Sequence, residues 1–130
     1  MSVEIKTNKA PQFPLPFSQA LRAGDFVYVS GQVGVDPQTR EVAGPMIEEQ
    51  TEQCVRNIAA ILEEAGLTLD HVVKVNAHLS DIRLAPAYNA VYEKLFSKPY
   101  PARTTVQSGI GDYLIEIDVI AYVHSRRGEA

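Results

Sequence analysis

Two residues in the last third of the chain, Arg103 and Glu116, have side chains that suit a carboxylate-binding site beside a general base. A guanidinium binds a carboxylate through two parallel charge-assisted hydrogen bonds, and a glutamate can accept a proton from an attacking water. The same pair of residues is equally consistent with an ordinary salt bridge on a sheet surface. The elements that carry them therefore have to be considered next.

Both residues belong to a stretch, residues 101–123, whose pattern predicts a β-hairpin. A Gly-rich turn over 109–112 sets Thr105 opposite Glu116 and makes Arg103 a diagonal neighbour of Glu116, about 5–8 Å away. The second strand alternates with a period of two, so its apolar residues share the face away from Glu116. These apolar residues are Ile115, Ile117, Val119, Ala121 and Val123.

Hydrophobic periodicity predicts the other elements. A hairpin is expected over 17–36, preceded by a short strand over 3–7, and a strand over 71–81. Helices are expected over 47–65, ended by a glycine, and over 86–96, where a proline occupies the first turn. The order β-β-α-β-α-β-β predicts an α+β fold in which two helices cover one face of a mixed sheet.

The predicted second face of the sheet has no helix to cover it. It carries a mixture of aromatic, aliphatic and polar side chains, namely Phe26, Tyr28, Leu114, Tyr122, Ser30, Gln32, Arg103, Glu116 and Asp118. An exposed apolar patch of this kind normally marks an interface. The sequence therefore predicts a homo-oligomer with polar groups near the subunit boundary.

Composition excludes several classes of function. The 130 residues fit a single domain spanning 1–130, and a net charge of −4 disfavours nucleic-acid binding. No apolar run is long enough to cross a membrane, and the first residues do not resemble a secretion signal. The single cysteine, Cys54, cannot form an internal disulfide, which favours the cytoplasm. The three histidines are scattered, with no carboxylate or cysteine at ligand spacing, so we expect no metal site.

Four short segments, taken together, carry a family resemblance. They are Ser30-Gly31-Gln32, Asn89 within YNAVYEKLF, Pro101-Ala102-Arg103 and Ile115-Glu116-Ile117. In this order and spacing they resemble the signature of the RidA (YjgF) family, and the resemblance extends over essentially the whole chain.

The resemblance implies a chorismate-mutase-like fold assembled as a homotrimer, with sites in the clefts between subunits. Active members hydrolyse 2-imino acids or their enamine tautomers, such as 2-aminoacrylate, 2-iminopropanoate and 2-iminobutanoate, to 2-keto acids and ammonia without a cofactor. By this likeness Arg103 holds the substrate carboxylate with the backbone at Thr105, and Glu116 positions and activates the water. Ser30, Gly31 and Asn89 would line the pocket, and Phe17 would supply its aromatic residue.

Three departures from the family pattern bear on the choice of substrate. Phe17 stands where a tyrosine is common, Thr105 stands where a cysteine is common, and the loop over 107–113 is shorter than usual, with Gly111 at an aliphatic position. Two alternatives therefore stay open. One is a 2-aminomuconate-type deaminase, and the other is a non-catalytic trimer that binds small carboxylates or regulates a partner.

Overall fold

The computed structural model describes residues 1–129 of the chain. Its single sheet has six strands, which are β1 (Ser2–Ile5), β2 (Ala20–Ala23), β3 (Phe26–Val33), β4 (Val72–Leu79), β5 (Ala102–Gln107) and β6 (Ile115–Tyr122). Two helices, α1 (Ile47–Glu64) and α2 (Ala85–Leu95), lie on one face of it. The predicted fold class and order of elements are confirmed. No helix within residues 1–129 combines the length and hydropathy needed to cross a membrane.

Helix α1 forms where the apolar residues recur at helical spacing, and it packs on β3 and β6. Its first turn is acidic, and the Glu49 carboxylate accepts a hydrogen bond from the Met46 backbone at 3.3 Å. The helix ends before Gly66, which adopts a φ of 76° that few other residues tolerate. The predicted span of 47–65 is therefore confirmed to within one residue.

Helix α2 begins one residue before Pro86, whose missing N–H is no loss in the first turn. Its buried stripe consists of Tyr88 and Tyr92 and is continued by Phe96, just after the helix ends. The ring centroids of Tyr92 and Phe96 are 4.4 Å apart in a stacked arrangement. The stripe anchors α2 in the same core as α1.

The predicted hairpin over 101–123 is wrong. The strand order is β1-β2-β3-β6-β4-β5, so β4 lies between the two strands that the sequence pattern had paired. Strand β5 runs parallel to β4, with Arg103 beside Val75, whereas β6 runs antiparallel to β4, with Glu116 beside His78. The predicted Gly-rich turn over 109–112 is present, but a turn shows only that the chain changes direction. It cannot distinguish a tight hairpin from a connection that passes over a third strand.

In the first hairpin, the tight turn that the sequence predicts at Ala23-Gly24 would place Ala20 opposite Val27. In the structure Ala20 pairs with Val29, a shift of two residues, and β2 does not extend back to Phe17. The pairing of β3 with β6 shifts between Val29 and Gln32, which marks a β-bulge around Gly31. Gln32, predicted on the uncovered face, is therefore only 3% exposed and pairs with Ile117.

Candidate functional site

Arg103 lies on the helix-covered face of the sheet, not on the uncovered face where the sequence pattern placed it. Its strand partner Val75 is fully buried in the core beneath the helices, and paired residues project to the same side. Strand β5 is one of the two edge strands, and the Arg103 side chain is exposed to solvent. Within residues 1–129, no carboxylate approaches it to within 4.0 Å. Its charge is thus available to an anionic ligand.

Two tyrosine rings of α2 support this guanidinium. The Arg103 Cζ atom lies 4.7 Å from the ring centre of Tyr92 and 5.3 Å from that of Tyr88. Contacts of this kind between a cation and an aromatic face contribute about 0.5–2 kcal/mol. They hold the face of the planar group and leave its N–H edge free for hydrogen bonds. The sequence indicated the tyrosine stripe through its i, i+4 spacing but not its contact with Arg103.

The tyrosine hydroxyls are unusual in this setting. Those of Tyr88 and Tyr92 are buried, and neither has a hydrogen-bond partner among residues 1–129. Burial raises the pKa of Tyr88 above its ordinary value, and the nearby positive charge of Arg103 offsets only part of that effect. Burial likewise raises the pKa of Tyr92, against the charges of Arg103 and Arg127. Both phenols therefore stay neutral beside the cation.

The guanidinium opens into a cavity of about 590 Å³, which we call the arginine cavity. It is lined by Asn89, Tyr92, Glu93, Lys98, Tyr100, Pro101 and Arg103. The predicted residues Asn89 and Arg103 are thus brought together. Thr105 lies two residues along β5 on the same face, with a buried hydroxyl that has no partner among residues 1–129. Lys98 and Tyr100 were not identified from the sequence, because a loop residue has no periodicity that would show where it points.

Glu116 lies on the opposite, uncovered face of the sheet. Its β4 neighbour His78 and its own partial exposure place it there, while Ile115 and Ile117 on either side are fully buried. The carboxyl group rests against the backbone of Gly31. A Cβ atom at that position would come within 2.9 Å of Glu116 Cδ and Oε2. The glycine therefore makes room for the carboxylate at the bulge of β3.

Around Glu116 is a second cavity of about 480 Å³, which we call the glutamate cavity. Its lining includes four predicted site residues, Phe17, Ser30, Gly31 and Glu116. The Ser30 hydroxyl donates a 2.6 Å hydrogen bond to the Ser18 carbonyl, so it ties the segment that carries Phe17 to β3. Phe17 is 47% exposed and is available to contact another molecule.

The predicted hairpin would have set Asp118 opposite Arg103, but the structure gives Asp118 other partners. Its carboxylate accepts a 2.9 Å hydrogen bond from the Asn76 amide and lies 3.6 Å from His78 Nε2. The His78 Nδ1 atom is in turn 2.8 Å from the Ser108 hydroxyl. These contacts belong to the uncovered face and account for Asp118 without the arginine. Among residues 1–129, no cluster of His, Cys, Asp and Glu suited to a metal ion is found.

Within one copy of the chain, the arginine cavity and the glutamate cavity lie on opposite faces of the sheet. Arg103 and Glu116 are separated by the whole of β4, about 10 Å of sheet at the usual strand spacing, and they project to opposite sides. One small molecule cannot contact both side chains in a single copy. The seven predicted site residues thus divide into Arg103, Thr105 and Asn89 on one side and Phe17, Ser30, Gly31 and Glu116 on the other.

The arrangement of the sheet and helices is that of a chorismate-mutase-like fold. The chain superposes on the crystal structure of RidA from the Antarctic bacterium Psychrobacter sp. PAMC 21119 with a TM-score of 0.88 and 41% identity, covering 93% of this chain and 99% of that one. A family model described as Endoribonuclease L-PSP matches residues 7–123. The protein therefore belongs to the YjgF/RidA family.

Curated relatives agree with this assignment. A RutC family protein of Saccharolobus solfataricus is 50% identical over 119 residues, which cover 90% of this chain and 94% of the relative. A protein of Dermatophagoides farinae named 2-iminobutanoate/2-iminopropanoate deaminase is 39% identical over 102 residues, covering 78% of this chain and 80% of the relative.

Proposed function

We propose that this protein hydrolyses small 2-imino acids, or their enamine tautomers, to 2-keto acids and ammonia at a site formed between two copies of the chain. The observation that carries the proposal is the division of the site. An arginine with no protein carboxylate within 4.0 Å among residues 1–129 opens into one cavity, and a glutamate seated on a glycine opens into another. The named activity of the Dermatophagoides farinae relative supports the choice of substrate.

A second copy of the chain would bring the two cavities together. The uncovered sheet face around the glutamate cavity exposes Leu21, Phe26 and Tyr28 by 38%, 37% and 47%. Large apolar side chains exposed side by side favour burial against a partner. In the homotrimer that we propose, each arginine cavity would meet the glutamate cavity of a neighbour, giving three equivalent sites.

Arg103 would bind the substrate carboxylate. Its N–H edge is free, its face is held by two rings, and it can form two parallel hydrogen bonds to a carboxylate. This contact would fix C2 of the imine relative to the neighbour's glutamate. Phe17 would pack on the short side chain of the substrate, and Ser30 would offer the lone pairs that its bond to Ser18 leaves free.

Glu116 would act as the general base. Water adds to C2 of the imine as a proton passes from the water to the carboxylate and the imine nitrogen gains a proton. The resulting carbinolamine then collapses: its hydroxyl proton is transferred to the nitrogen through Glu116, the C–N bond breaks and the protonated nitrogen leaves as ammonia. The imine carbon is already electrophilic, so positioning and one proton acceptor suffice. The overall change consumes one water and releases one 2-keto acid and one ammonia, with no change in oxidation state.

The direct test measures ammonia release when 2-iminopropanoate or 2-iminobutanoate is generated in the assay. We expect the protein to exceed the spontaneous rate, Arg103→Ala to lose substrate binding, and Glu116→Ala to lose the catalytic step. Equal rates for the wild type and Arg103→Ala over background would refute the proposal. A single monomeric species in light scattering would refute the site between copies.

A second candidate is the hydrolysis of a longer enamine with two carboxylates, such as 2-aminomuconate. The arginine cavity supports it, because Lys98 lines that cavity together with Arg103 and adds a second positive charge. A comparison of kcat/KM for three-carbon and six-carbon substrates decides between the two. Binding of a small carboxylate in calorimetry without ammonia release would instead indicate the binding or regulatory trimer. The lone Cys54 supports a cytoplasmic location for either activity.

A further inference from the structure

Arg127, in the segment that follows β6, donates four side-chain hydrogen bonds to backbone carbonyl groups. Its side chain is only 7% exposed. The guanidinium donates to the Leu69 and Val72 carbonyls at 2.7 and 2.9 Å, and to the Ser97 and Pro99 carbonyls at 2.8 and 2.6 Å. One side chain therefore joins the beginning of β4 to the loop between α2 and β5.

That loop forms one wall of the arginine cavity. Lys98, Tyr100 and Pro101 line the cavity, and the first two of them are sequence neighbours of the residues whose carbonyls accept from Arg127. The backbone of the 127–128 segment also packs directly on the loop, because a Cβ atom on Gly128 would meet Pro99 Cδ at 3.0 Å. Arg127 and Gly128 therefore hold this wall in place although neither residue lines the cavity.

A chain of contacts leads from this loop to the proposed anion-binding group. The ring of Tyr100 lies 6.4 Å from that of Tyr92, and Tyr92 supports the Arg103 guanidinium at 4.7 Å. The charge of Arg127 also opposes the rise in the pKa of Tyr92 that burial causes. A displacement of the loop would therefore change both the wall and the ring under Arg103.

Only an arginine suits this position. Its planar fork offers five N–H donors, four of which are used here in directions that lead to two separate segments. Burial lowers its pKa, and the nearest carboxylate, that of Asp70, is 3.9 Å away. The guanidinium is therefore held chiefly by carbonyl groups, and its removal would leave four of them without this partner.

We propose that Arg127 is a positioning residue for the arginine cavity, which sets the loop over 97–100 and through it the substrate affinity of Arg103. The inference rests on the proposed function, since the affected property is the binding of a substrate carboxylate. Arg127 does not touch the cavity, so its replacement should raise KM and leave the chemistry at Glu116 of the neighbouring copy largely unchanged.

The experiment compares Arg127→Ala and Arg127→Lys with the matched control Arg126→Ala. Arg126 is the adjacent arginine and is exposed, with no side-chain hydrogen bond or ion pair among residues 1–129. KM and kcat are measured with 2-iminobutanoate as the substrate. Titration calorimetry gives the dissociation constant of the 2-oxobutanoate product, and scanning calorimetry gives the melting temperature. Activity is corrected for the folded fraction.

For Arg127→Ala we expect KM and the product dissociation constant to rise about 5- to 20-fold with kcat within about threefold, since a misplaced binding wall lowers affinity before it alters the chemical step. Arg127→Lys should show a smaller rise in the same two constants, because an ammonium cannot reach both segments. Arg126→Ala should match the wild type.

Unchanged KM and product affinity in a folded Arg127→Ala protein would overturn the inference, as would equal proportional losses in kcat and kcat/KM. If Arg127→Ala does not fold, Arg127→Lys decides by the same two constants. A wild type that binds 2-oxobutanoate but does not hydrolyse the imine refutes the proposed reaction while the calorimetric arm still tests Arg127. A wild type that binds neither ligand overturns both.

Discussion

Arg103 and Glu116 project to opposite faces of one sheet, with strand β4 between the strands that carry them. In a single copy they form neither a salt bridge nor a shared site. A salt bridge within the chain is excluded by the fold, and joint action of the two residues requires a second copy.

If Arg103 and Glu116 act together across two copies, as we propose, two impaired variants should complement each other. Arg103→Ala should raise KM about 10- to 100-fold, the loss expected for hydrogen bonds to a charged group. Glu116→Gln should lower kcat about 10²- to 10⁴-fold through loss of the general base. In the homotrimer that we propose, reassembly from equal amounts of both variants should recover about a quarter of the wild-type activity, because a quarter of the random interfaces would hold both intact residues.

The measurement is the imine assay after denaturation and refolding of the mixture, with each variant refolded alone as the control. A mixture that is no more active than its two components would contradict a site shared between copies, provided that mass spectrometry shows mixed trimers.

Gly31 should control the position of the glutamate. In Gly31→Ala the new methyl group would meet the end of the Glu116 side chain at 2.9 Å, and that side chain is flexible enough to move aside. We expect kcat to fall about 10- to 100-fold, since displacement of a catalytic group by a fraction of an ångström is costly, while the melting temperature changes little. Gly109→Ala, where a Cβ atom would meet nothing within 4 Å, is the control. A fully active Gly31→Ala protein would contradict the inference that Gly31 controls the position of Glu116.

The ring of Tyr92, and not its hydroxyl, should support Arg103. Tyr92→Phe keeps the cation–π contact and removes a buried hydroxyl that has no partner among residues 1–129, so KM should be unchanged and the free energy of unfolding equal or higher. Tyr92→Leu removes a contact worth about 0.5–2 kcal/mol and should raise KM about 3- to 30-fold. The assay uses 2-iminobutanoate with both proteins at matched folded fractions. A raised KM in Tyr92→Phe alone would assign the role to the hydroxyl.

Cys54 should be chemically inert in the folded protein. Its side chain is fully buried and donates to the Gln32 carbonyl, and burial raises the pKa of the thiol far above its ordinary value. The reactive species is the thiolate, so a raised pKa reduces reactivity at every pH up to that pKa. A thiol reagent at pH 8 should modify no cysteine in native protein and one in guanidinium chloride. Rapid modification of the native protein would contradict this prediction.

Periodicity determined most of the fold. The helices over 47–64 and 85–95 and the strands over 72–79 and 115–122 are recognisable because each segment repeats its apolar residues at the period of the structure it forms. Glycine and proline marked the helix boundaries because their backbone restrictions act locally. These signals are properties of a few consecutive residues, so they can be read without the rest of the chain.

The sequence by itself also determined which residue types belong to the site, through the motifs that contain Ser30, Asn89, Arg103 and Glu116. Only the tertiary structure decided which of them meet. Three features of the site are contacts between segments that are distant in the sequence. They are the pairing of β5 and β6 with β4, the aromatic rings beside Arg103, and the hydrogen bonds from Arg127 to the loop over 97–100. Local alternation indicated the face of Glu116 within its strand, but the faces of Arg103 and Gln32 and the neighbours of each strand depend on how the whole core is buried.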